Sequence, residues 1–378
     1  YFGVNMKQGW ELKKLGEVCD LINGSTPLKS NKDYWVNGSF PWFTIEDLRI
    51  QGRVINYTNQ FITKIGLKKL KILPVDTVLL CCTASIGEYA ITKIELTTNQ
   101  QFNGLVIKDK NKLSPSFLLY FSSTLREKLY NLSGKATIDF ISISKLKNIE
   151  IPIPPLPEQE RIVSILDQVF SAIEQAKANA EKNLKNAKEL FDSYLNEIFT
   201  NKGEDWKESE IGEIIDIKNG KSQKEVLSET GPYKIMGSAG NLMGYSNGYI
   251  CDAGTTIIGR KGNISKPIYI EEKFWNVDTA FGFYPKNNLL ENKFIYYLCL
   301  TIDFEKMNRG TTIPSLVKSE LKTIKVWYPK LSEQQDIIKK LDKFSIEIKQ
   351  LEETYQQKLI ELEDLKKSIL QKAFNGEL

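Results

Sequence analysis

The sequence predicts an α+β chain in which two similar globular domains are separated by two long helices that pair as an antiparallel coiled coil. Three observations lead to this prediction. The chain contains an internal repeat, each copy ends in a long apolar stripe at helical spacing, and short β-branched and aromatic runs fill the remainder. We expect the domains at 1–156 and 204–330 and the helices at 157–203 and 331–378. The length of 378 residues suits this division, since single cores rarely exceed about 250–300 residues.

The repeat is carried by two pairs of matching segments. Near the start of each copy, WELKKLGEVCDLING begins at Trp10 and WKESEIGEIIDIKNG begins at Trp206. Near the end, LKNIEIPIPPLPEQERIVSILD begins at Leu146 and LKTIKVWYPKLSEQQDIIKKLD begins at Leu321. Weaker matches between them are 85–87 with 260–262, 99–102 with 278–281, and 136–138 with 311–313. This repetition predicts a fold with a pseudo-twofold internal repeat.

The long helices follow from spacing and from their boundaries. Apolar residues recur every three or four positions from 162 to 198 and from 337 to 369. Prolines precede both stretches, and Gly203 and Gly376 follow them. A helix of forty residues is roughly 60 Å long, which exceeds the diameter of a domain, so we expect the two stripes to pair. The domains are expected to contain strands at 77–80, 104–108, 255–258 and 280–284, and helices at 118–129 and 293–307.

Composition narrows the function. The chain has 41% hydrophobic and 26% charged residues and lacks an apolar run that would span a membrane. It opens without a secretion pattern, and its five cysteines contain no C-x-x-C pair, so we expect free thiols and a cytoplasmic location. It contains no histidine, which removes the commonest general base and metal ligand. These features argue against catalysis.

Positive charge is concentrated outside the helices. The segments 157–200 and 331–378 carry net charges of −3 and −2, whereas the rest of the chain carries +9. Basic globular domains suit a partner that is a polyanion such as DNA. A solvated surface without a partner has the same composition.

Short motifs typical of enzymes are incomplete. Gly220, Lys221 and Ser222 resemble the end of a phosphate-binding loop, but the glycine required five residues earlier is Ile215. Nuclease-like E-x-K triplets recur along this Lys- and Glu-rich chain, as chance predicts. An S-x-x-K motif at 142–145 lacks its companion motifs. We therefore predict no catalytic residue, no metal site and no cofactor.

Two segments of the type I-P-x-P-P-L-x-E-Q open the predicted helices, at 151–159 and, more degenerate, at 326–334. With the segment 190–195 that runs into Trp206, and the final QKAFNGEL at 371–378, they make the chain resemble, twice over, the specificity subunit of type I restriction–modification systems. The resemblance implies two target recognition domains, each for one half of a bipartite double-stranded DNA site. It implies that the helices set the gap between the halves and dock two methyltransferase (modification) subunits, to which restriction/translocase subunits are added. The chain itself would supply specificity only.

Residues shared by the repeats, such as Trp10 and Trp206 or Gly16 and Gly212, are expected to be structural. We predict DNA contacts in three loops of each domain where the repeats differ. In the first domain these are Ser25, Thr26, Lys29, Ser30, Asn31 and Lys32; Thr83 and Ser85; and Lys135 and Thr137. In the second domain they are Lys221, Ser222, Gln223 and Lys224; Arg260, Lys261 and Asn263; and Arg309, Thr311 and Thr312. Lysine and arginine suit phosphates, Arg260 and Arg309 also suit guanine edges, and asparagine and glutamine suit adenine. A solvated surface loop is the alternative for each.

Phe170, Leu195 and Phe199 lie off the apolar stripe and predict docking of the methyltransferase subunits. The main alternative is a free-standing two-domain DNA-binding or architectural protein without methyltransferase partners, which would need a polar outer helix face. An enzyme would need a clustered carboxylate–lysine site or a phosphate loop. A pure coiled-coil adaptor would leave the two repeated domains unexplained.

Overall fold

The structure is a computed structural model that describes residues 7–133 and 140–378. The chain divides into two compact units. The first ends at Asn179 and resumes over Lys358–Leu378, and the second is Ala180–Gln357. Each unit therefore contains one globular domain together with one part of each long helix.

The elements of the first domain alternate short strands with short helices. Its strands are β1 (Glu11–Lys14), β2 (Cys19–Asn23), β3 (Phe40–Phe43), β4 (Val54–Ile55), β5 (Gln60–Ile62), β6 (Val78–Cys81), β7 (Tyr89–Thr92), β8 (Thr97–Thr98), β9 (Phe102–Ile107) and β10 (Glu150–Ile153). Its helices are α1 (Leu15–Val18), α2 (Ile45–Gln51), α3 (Lys64–Leu67), α4 (Pro115–Ser123), α5 (Arg126–Ser133) and α6 (Ile143–Lys147), with a 3-10 turn at Lys32–Tyr34. The long helix α7 (Leu156–Thr200) follows.

The second domain has a related order with fewer short helices. Its strands are β11 (Lys207–Glu210), β12 (Ile215–Asn219), β13 (Leu227–Ser228), β14 (Tyr233–Met236), β15 (Leu242–Ser246), β16 (Thr255–Gly259), β17 (Ile268–Ile270), β18 (Phe274–Asn276), β19 (Ala280–Pro285) and β20 (Lys325–Tyr328). Its helices are α8 (Ile211–Ile214), α9 (Asn292–Leu300) and α10 (Lys318–Lys322), with a 3-10 turn at Phe304–Met307, and α11 (Leu331–Asn375) is the second long helix.

Sheet topology confirms the predicted repeat. The main sheet has the order β2-β9-β6-β7-β4 in the first domain and β12-β19-β16-β17 in the second. A smaller sheet follows the same rule in both. Strand β3 is antiparallel to β5 and parallel to β8, and β14 is antiparallel to β15 and parallel to β18, with β13 added beyond β15. The pairs β1-β10 and β11-β20 join the start of each domain to the strand before its long helix.

The central strands β6 and β16 are buried along their whole length, which explains their continuous apolar and β-branched sequence. The single helix predicted at 118–129 is instead α4 followed by α5. The hydroxyls of Ser122 and Thr124 bond back to the carbonyls of Leu118 and Phe121, which competes with helix continuation. The helix predicted at 293–307 is likewise α9 followed by a 3-10 turn.

Each long helix contributes to the core of a domain. In the first unit, Ile162 of α7 and Phe374 of α11 are buried with the domain core. In the second unit, Ile337 and Leu341 of α11 are buried with that core. The N-terminal turns of both helices are thus fixed by burial of their apolar stripe. No helix in the described part of the chain is both long and apolar enough to cross a membrane.

The helices run antiparallel in the first unit. Glu174 of α7 pairs with Lys366 of α11 at 2.9 Å, and Lys177, one turn later on α7, pairs with Glu363, one turn earlier on α11. Pairing that advances along one helix and retreats along the other is the register of an antiparallel coiled coil.

An aromatic contact joins the helices in the second unit. Phe344 of α11 lies with its ring centroid 4.7 Å from that of Tyr194 and 6.3 Å from that of Phe191, both on α7. The predicted pairing of the two apolar stripes is therefore confirmed inside each unit.

Candidate nucleic-acid interface

In the second domain the three loops predicted to contact DNA meet where β12 and β16 end and β19 begins, at one end of the strands of the main sheet. We call them loop 1 (220–224), loop 2 (260–263) and loop 3 (309–315). The turn between β18 and β19 binds loops 1 and 2: the Lys221 amide donates to the Asn276 carbonyl at 2.9 Å, and the Arg260 amide to the Thr279 carbonyl at 2.8 Å. Loop 3 joins through the Gly262 amide, which donates to the Pro314 carbonyl at 2.9 Å. We call the combined surface the three-loop surface.

The first domain assembles its corresponding loops in the same way. The Ser25 amide donates to the Thr98 carbonyl at 2.9 Å, and the Cys82 amide to the Gln101 carbonyl at 2.8 Å. Thr83 forms a β-bridge with Phe140. Two predicted contact residues of this domain, Lys135 and Thr137, lie outside the described residues.

These hydrogen bonds give the structural equivalence of the two domains. The Cys82 carbonyl accepts from the Ile141 amide at 3.0 Å, and the Arg260 carbonyl accepts from the Leu316 amide at 2.9 Å. Cys82 therefore corresponds to Arg260, and the expected match of 85–87 with 260–262 is wrong. The amides of Gly24 and Gly220, at the two Asn–Gly turns, donate to the carbonyls of Phe102 and Ala280. Phe102 therefore corresponds to Ala280, and the expected match of 99–102 with 278–281 is wrong by one residue. Backbone hydrogen bonds keep these loops in place, so their side chains are free to diverge.

The Asn–Gly turns are held by close backbone approach. A methyl group at Gly24 would overlap the carbonyl oxygen of Asn99, and one at Gly220 would overlap that of Val277. Glycine is thus required where each Asn–Gly turn packs against the turn that precedes β9 or β19. Gly16 and Gly212 are also structural, as predicted, since each packs against a lysine of the small helix before β10 or β20.

The second domain presents an excess of cations on its three-loop surface. Lys221, Lys224 and Lys261 are exposed, as are Thr311 and Thr312. Ser222 and Gln223 lie between Lys221 and Lys224 in loop 1, and Asn263 follows Lys261 in loop 2. This arrangement of ammonium groups and small polar side chains suits contact with phosphates.

The two arginines of this surface differ in their partners. Arg309 lies against Glu320 of α10, with its Nε 3.1 and 3.2 Å from the carboxylate oxygens and its Nη2 at 3.0 Å. The hydrogen bonds and the charge of Glu320 raise the pKa of Arg309. Arg260 is exposed, and its Nη1 is 3.4 Å from the Asp278 carbonyl.

Two residues of the first loop in the first domain have intramolecular roles. The Lys29 ammonium lies 3.6 and 4.1 Å from the ring centroids of Trp35 and Trp42 and donates to Gln60 at 2.8 Å. Burial lowers the pKa of Lys29. The Asn31 side chain accepts from the Asp33 amide at 3.1 Å and caps the 3-10 turn. Both side chains therefore shape the loop, while Ser25, Ser30 and Lys32 remain exposed.

Sequence analysis missed several polar residues beside the corresponding loops of the first domain. Gln100 is exposed on the turn before β9 and is hydrogen-bonded to Thr26. Two arginines line a cavity of about 340 Å³ beside Ser85. Its lining is Ile45, Leu48, Arg49, Ala84, Ser85, Glu88, Arg126 and Tyr130. Arg49 and Arg126 come from α2 and α5, which are distant from the second loop in sequence, so no local motif marks them.

The family described as type I restriction modification DNA specificity domain matches this chain twice, over residues 7–183 and 203–362. The chain belongs to this family. It is 32% identical over 239 residues to the type I restriction enzyme MjaIX specificity subunit of Methanocaldococcus jannaschii, an alignment that spans 58% of this chain and 55% of that relative. It is 26% identical over 350 residues to the EcoprrI specificity subunit of Escherichia coli, spanning 87% and 86% of the two chains.

Solved structures share the fold of this specificity subunit. One chain, described as showing the structural basis underlying complex assembly and conformational transition of the type I R-M system, has a TM-score of 0.85 at 19% identity, covering all of both chains. The HsdS subunit of Thermoanaerobacter tengcongensis has a TM-score of 0.66 at 19% identity, covering 100% of this chain and 99% of that one. At these identities the likeness establishes the fold alone.

Of the three residues predicted for docking, Leu195 is buried, and Phe170 and Phe199 are half-buried against other side chains of the subunit. Phe170 contacts the ring of Tyr120 at 5.4 Å, and Leu195 is only 2% exposed. Phe199 lies 5.4 Å from the ring of Phe294. These side chains therefore have packing partners within the subunit, and docking of the methyltransferase subunits at these positions stays a prediction.

Other apolar side chains of the long helices are exposed. In the first unit these are Ile360 (57%) and Leu365 (46%). In the second unit they are Leu190 (52%), Ile346 (58%) and Leu351 (38%). A partner-free helix pair is expected to carry polar residues at such positions.

Proposed function

We propose that this subunit recognises a bipartite double-stranded DNA site, with each domain contacting one half through its three-loop surface, and that it performs no catalysis of its own. The observation that carries the proposal is the common loop architecture. The same backbone hydrogen bonds gather the loops in both domains, while the side chains on them differ. A shared scaffold with different side chains suits recognition of two different half-sites.

Positive charge supports a DNA partner at these surfaces. In the second domain, Lys221, Lys224 and Lys261 are exposed and suited to backbone phosphates. In the first domain, Lys32 is exposed, and Arg126 lines the cavity beside Ser85 together with Arg49, which is paired with Glu46 at 2.7 Å. We therefore assign phosphate contacts to these exposed lysines and base contacts to the polar residues beside them.

The helix pair supports two further parts of the proposal, the gap between half-sites and the docking of two methyltransferase subunits. Antiparallel pairing fixes the register of the two helices through Glu174–Lys366 and Lys177–Glu363. The exposed isoleucines and leucines of the helices, such as Ile360, supply apolar surface for docking. Restriction/translocase subunits would join such a complex in the cytoplasm to form the endonuclease.

The proposal is tested by co-expressing the subunit with the adjacent methyltransferase subunit and purifying the complex. Methylated adenines are then located in DNA exposed to it. We expect a split motif with a fixed gap, which disappears when this chain is omitted. Protection of DNA by the chain alone, with no bound methyltransferase, would instead support a free-standing DNA-binding protein.

A further inference from the structure

We propose that Arg260 recognises a guanine in the half-site of the second domain, whereas Arg309 stabilises loop 3 and adds no base specificity. The inference rests on the proposed function and assigns a role within it. Sequence alone leaves the two arginines equivalent, since both lie on loops of the same surface. Their hydrogen-bond partners separate them.

Two of the three guanidinium nitrogens of Arg309 already have a partner. Its Nε and Nη2 face the carboxylate of Glu320 at 3.0–3.2 Å, so a guanine that binds this side-on fork has to displace the carboxylate. The backbone groups around Arg309 are also hydrogen-bonded within loop 3. The Asn308 side chain accepts from the amides of Gly310 and Ser315 at 2.8 and 2.9 Å, and the Arg309 amide donates to the Ser315 carbonyl at 2.9 Å. Arg309 thus ties loop 3 to α10.

Arg260 combines a fixed backbone with a side chain that retains its donors. Its amide donates to the Thr279 carbonyl at 2.8 Å, and its carbonyl accepts from the Leu316 amide at 2.9 Å. Gly259 precedes it in a turn so tight that an added methyl group would overlap the Asn263 carbonyl oxygen. Among the residues that the structure describes, the guanidinium has no carboxylate partner, and its hydrogen bond to the Asp278 carbonyl is 3.4 Å long.

These properties match the needs of guanine recognition. Guanine presents its O6 and N7 acceptors in the major groove, and the guanidinium fork donates two parallel hydrogen bonds to them. A long, weak hydrogen bond is exchanged for two charge-assisted ones at little cost. The fixed backbone reduces the conformational entropy lost when the side chain binds.

The first domain lacks this guanidinium at the equivalent position. The backbone of Cys82 makes the same pair of hydrogen bonds as that of Arg260, but its side chain is a thiol that is 1% exposed. Loss of Arg260 should therefore change the half-site of the second domain only. The unchanged half-site of the first domain serves as an internal control in every experiment.

The experiment uses the full chain in complex with the methyltransferase subunit. Four variants are compared with the parent protein: Arg260→Gln, Arg260→Lys, Arg309→Gln and Lys261→Gln. The motif is read from the methylated adenines, and the affinity for DNA is measured at several salt concentrations. Thermal unfolding of each variant checks that it folds.

We expect Arg260→Gln to lower the preference for guanine at one position of the second half-site by about tenfold or more. Arg260→Lys keeps the charge and loses the fork, so it should lose the same preference while the salt dependence stays unchanged. Lys261→Gln should weaken binding equally for all sequences and make the salt dependence shallower. Arg309→Gln should leave the motif unchanged and lower the unfolding temperature.

The inference is overturned if Arg260→Gln retains the parental motif, if the second half-site contains no guanine, or if Arg309→Gln is the variant that loses the guanine. In each of these cases a split motif is still found, and the proposed function stands. Absence of any split motif with the parent protein would overturn the proposed function, and this inference with it.

Discussion

Gln159 and Gln334 make the same three hydrogen bonds, each within its own unit. The Gln159 amide donates to the carbonyls of Lys112 and Pro154 at 2.7 and 2.8 Å and accepts from the Ser114 amide at 2.9 Å. The matching partners of Gln334 are Leu289, Pro329 and Glu291, each at 2.8 Å. Both glutamines are fully buried. The glutamine of the repeated E-Q pair therefore joins the start of a long helix to the loop before α4 or α9.

Replacing either glutamine by leucine should destabilise its unit by about 3 kcal/mol, because three backbone groups at that junction lose the hydrogen bonds that the glutamine supplies. Denaturant unfolding measures the loss, and hydrogen exchange at Ser114 or Glu291 locates it. The matched control is Gln335→Ala, since the exposed side chain of Gln335 donates to the Glu291 carboxylate. Equal stabilities of Gln159→Leu and Gln335→Ala would contradict this account.

The Asn–Gly turn of the second domain should not accept a side chain. Gly220→Ala places a methyl group against the Val277 carbonyl, and relief of the overlap moves loop 1 away from the turn before β19. We expect a loss of about 1–3 kcal/mol in stability and a weaker affinity for DNA. Gly248→Ala is the control, because its added methyl group meets no atom within 4 Å. The two variants are compared by thermal unfolding and by DNA titration, and similar behaviour of both would refute the packing argument.

Glu158 makes the stability of the first unit depend on pH. Hydrogen bonds from Arg161, at 2.7 and 2.9 Å, and from Lys7, at 3.2 Å, lower the pKa of Glu158 from 4.5 to about 2. Because the folded pKa is the lower one, the stabilisation is complete above pH 4.5 and is lost as the pH falls towards 2.

The measurement is the free energy of unfolding of Glu158→Gln against the parent protein across this range. We expect the difference between them to shrink as the pH falls from 4.5 to 2. Removal of both donors, by Arg161→Gln and Lys7→Gln, should reduce the pH dependence of the parent protein in the same range. A difference that stays constant over the range would show that the ion pair is not responsible.

Exposed apolar residues of the helix pair should matter for assembly rather than for folding. In the first unit, the double variant Ile360→Lys and Leu365→Lys places two charges where we propose that a methyltransferase subunit docks. We expect at least tenfold weaker binding of that subunit and an unchanged circular dichroism spectrum. Ile65→Lys, at an equally exposed position of the first domain, should bind normally. Unaltered co-purification of the double variant would move docking elsewhere.

Helix length should set the gap of the DNA site. Insertions of four residues, one after Asn179 in α7 and one after Gln357 in α11, add about one turn to both helices at the boundary between the units. The methylated motif should then keep both half-sites and acquire a longer gap. Altered bases in a half-site would mean that the insertions disturb the domains and that helix length does not act alone.

Local pattern was enough to predict the repeat, the positions of both long helices and several central strands. A buried helix face must be apolar at every third or fourth position, as Ile162 and Leu341 are, and that demand leaves a visible period in the sequence. The E-Q motif is visible for a similar reason. Gln159 must satisfy three backbone groups at once, and no other residue type has both the reach and the pair of donor and acceptor groups.

Tertiary structure alone decided how the loops correspond and which side chains are free. Cys82 and Arg260 share backbone hydrogen bonds that place no demand on the side chain, so the sequence carries no trace of their equivalence. The difference between Arg260 and Arg309 depends on Glu320, a residue of a helix that follows loop 3. Likewise, Phe170 is half-buried against Tyr120 of the first domain, a contact that helical spacing alone cannot reveal. Periodic burial constrains neighbouring residues of one segment, so it is visible in the sequence. Contacts between separate segments form only when the chain has folded, so the sequence pattern does not show them.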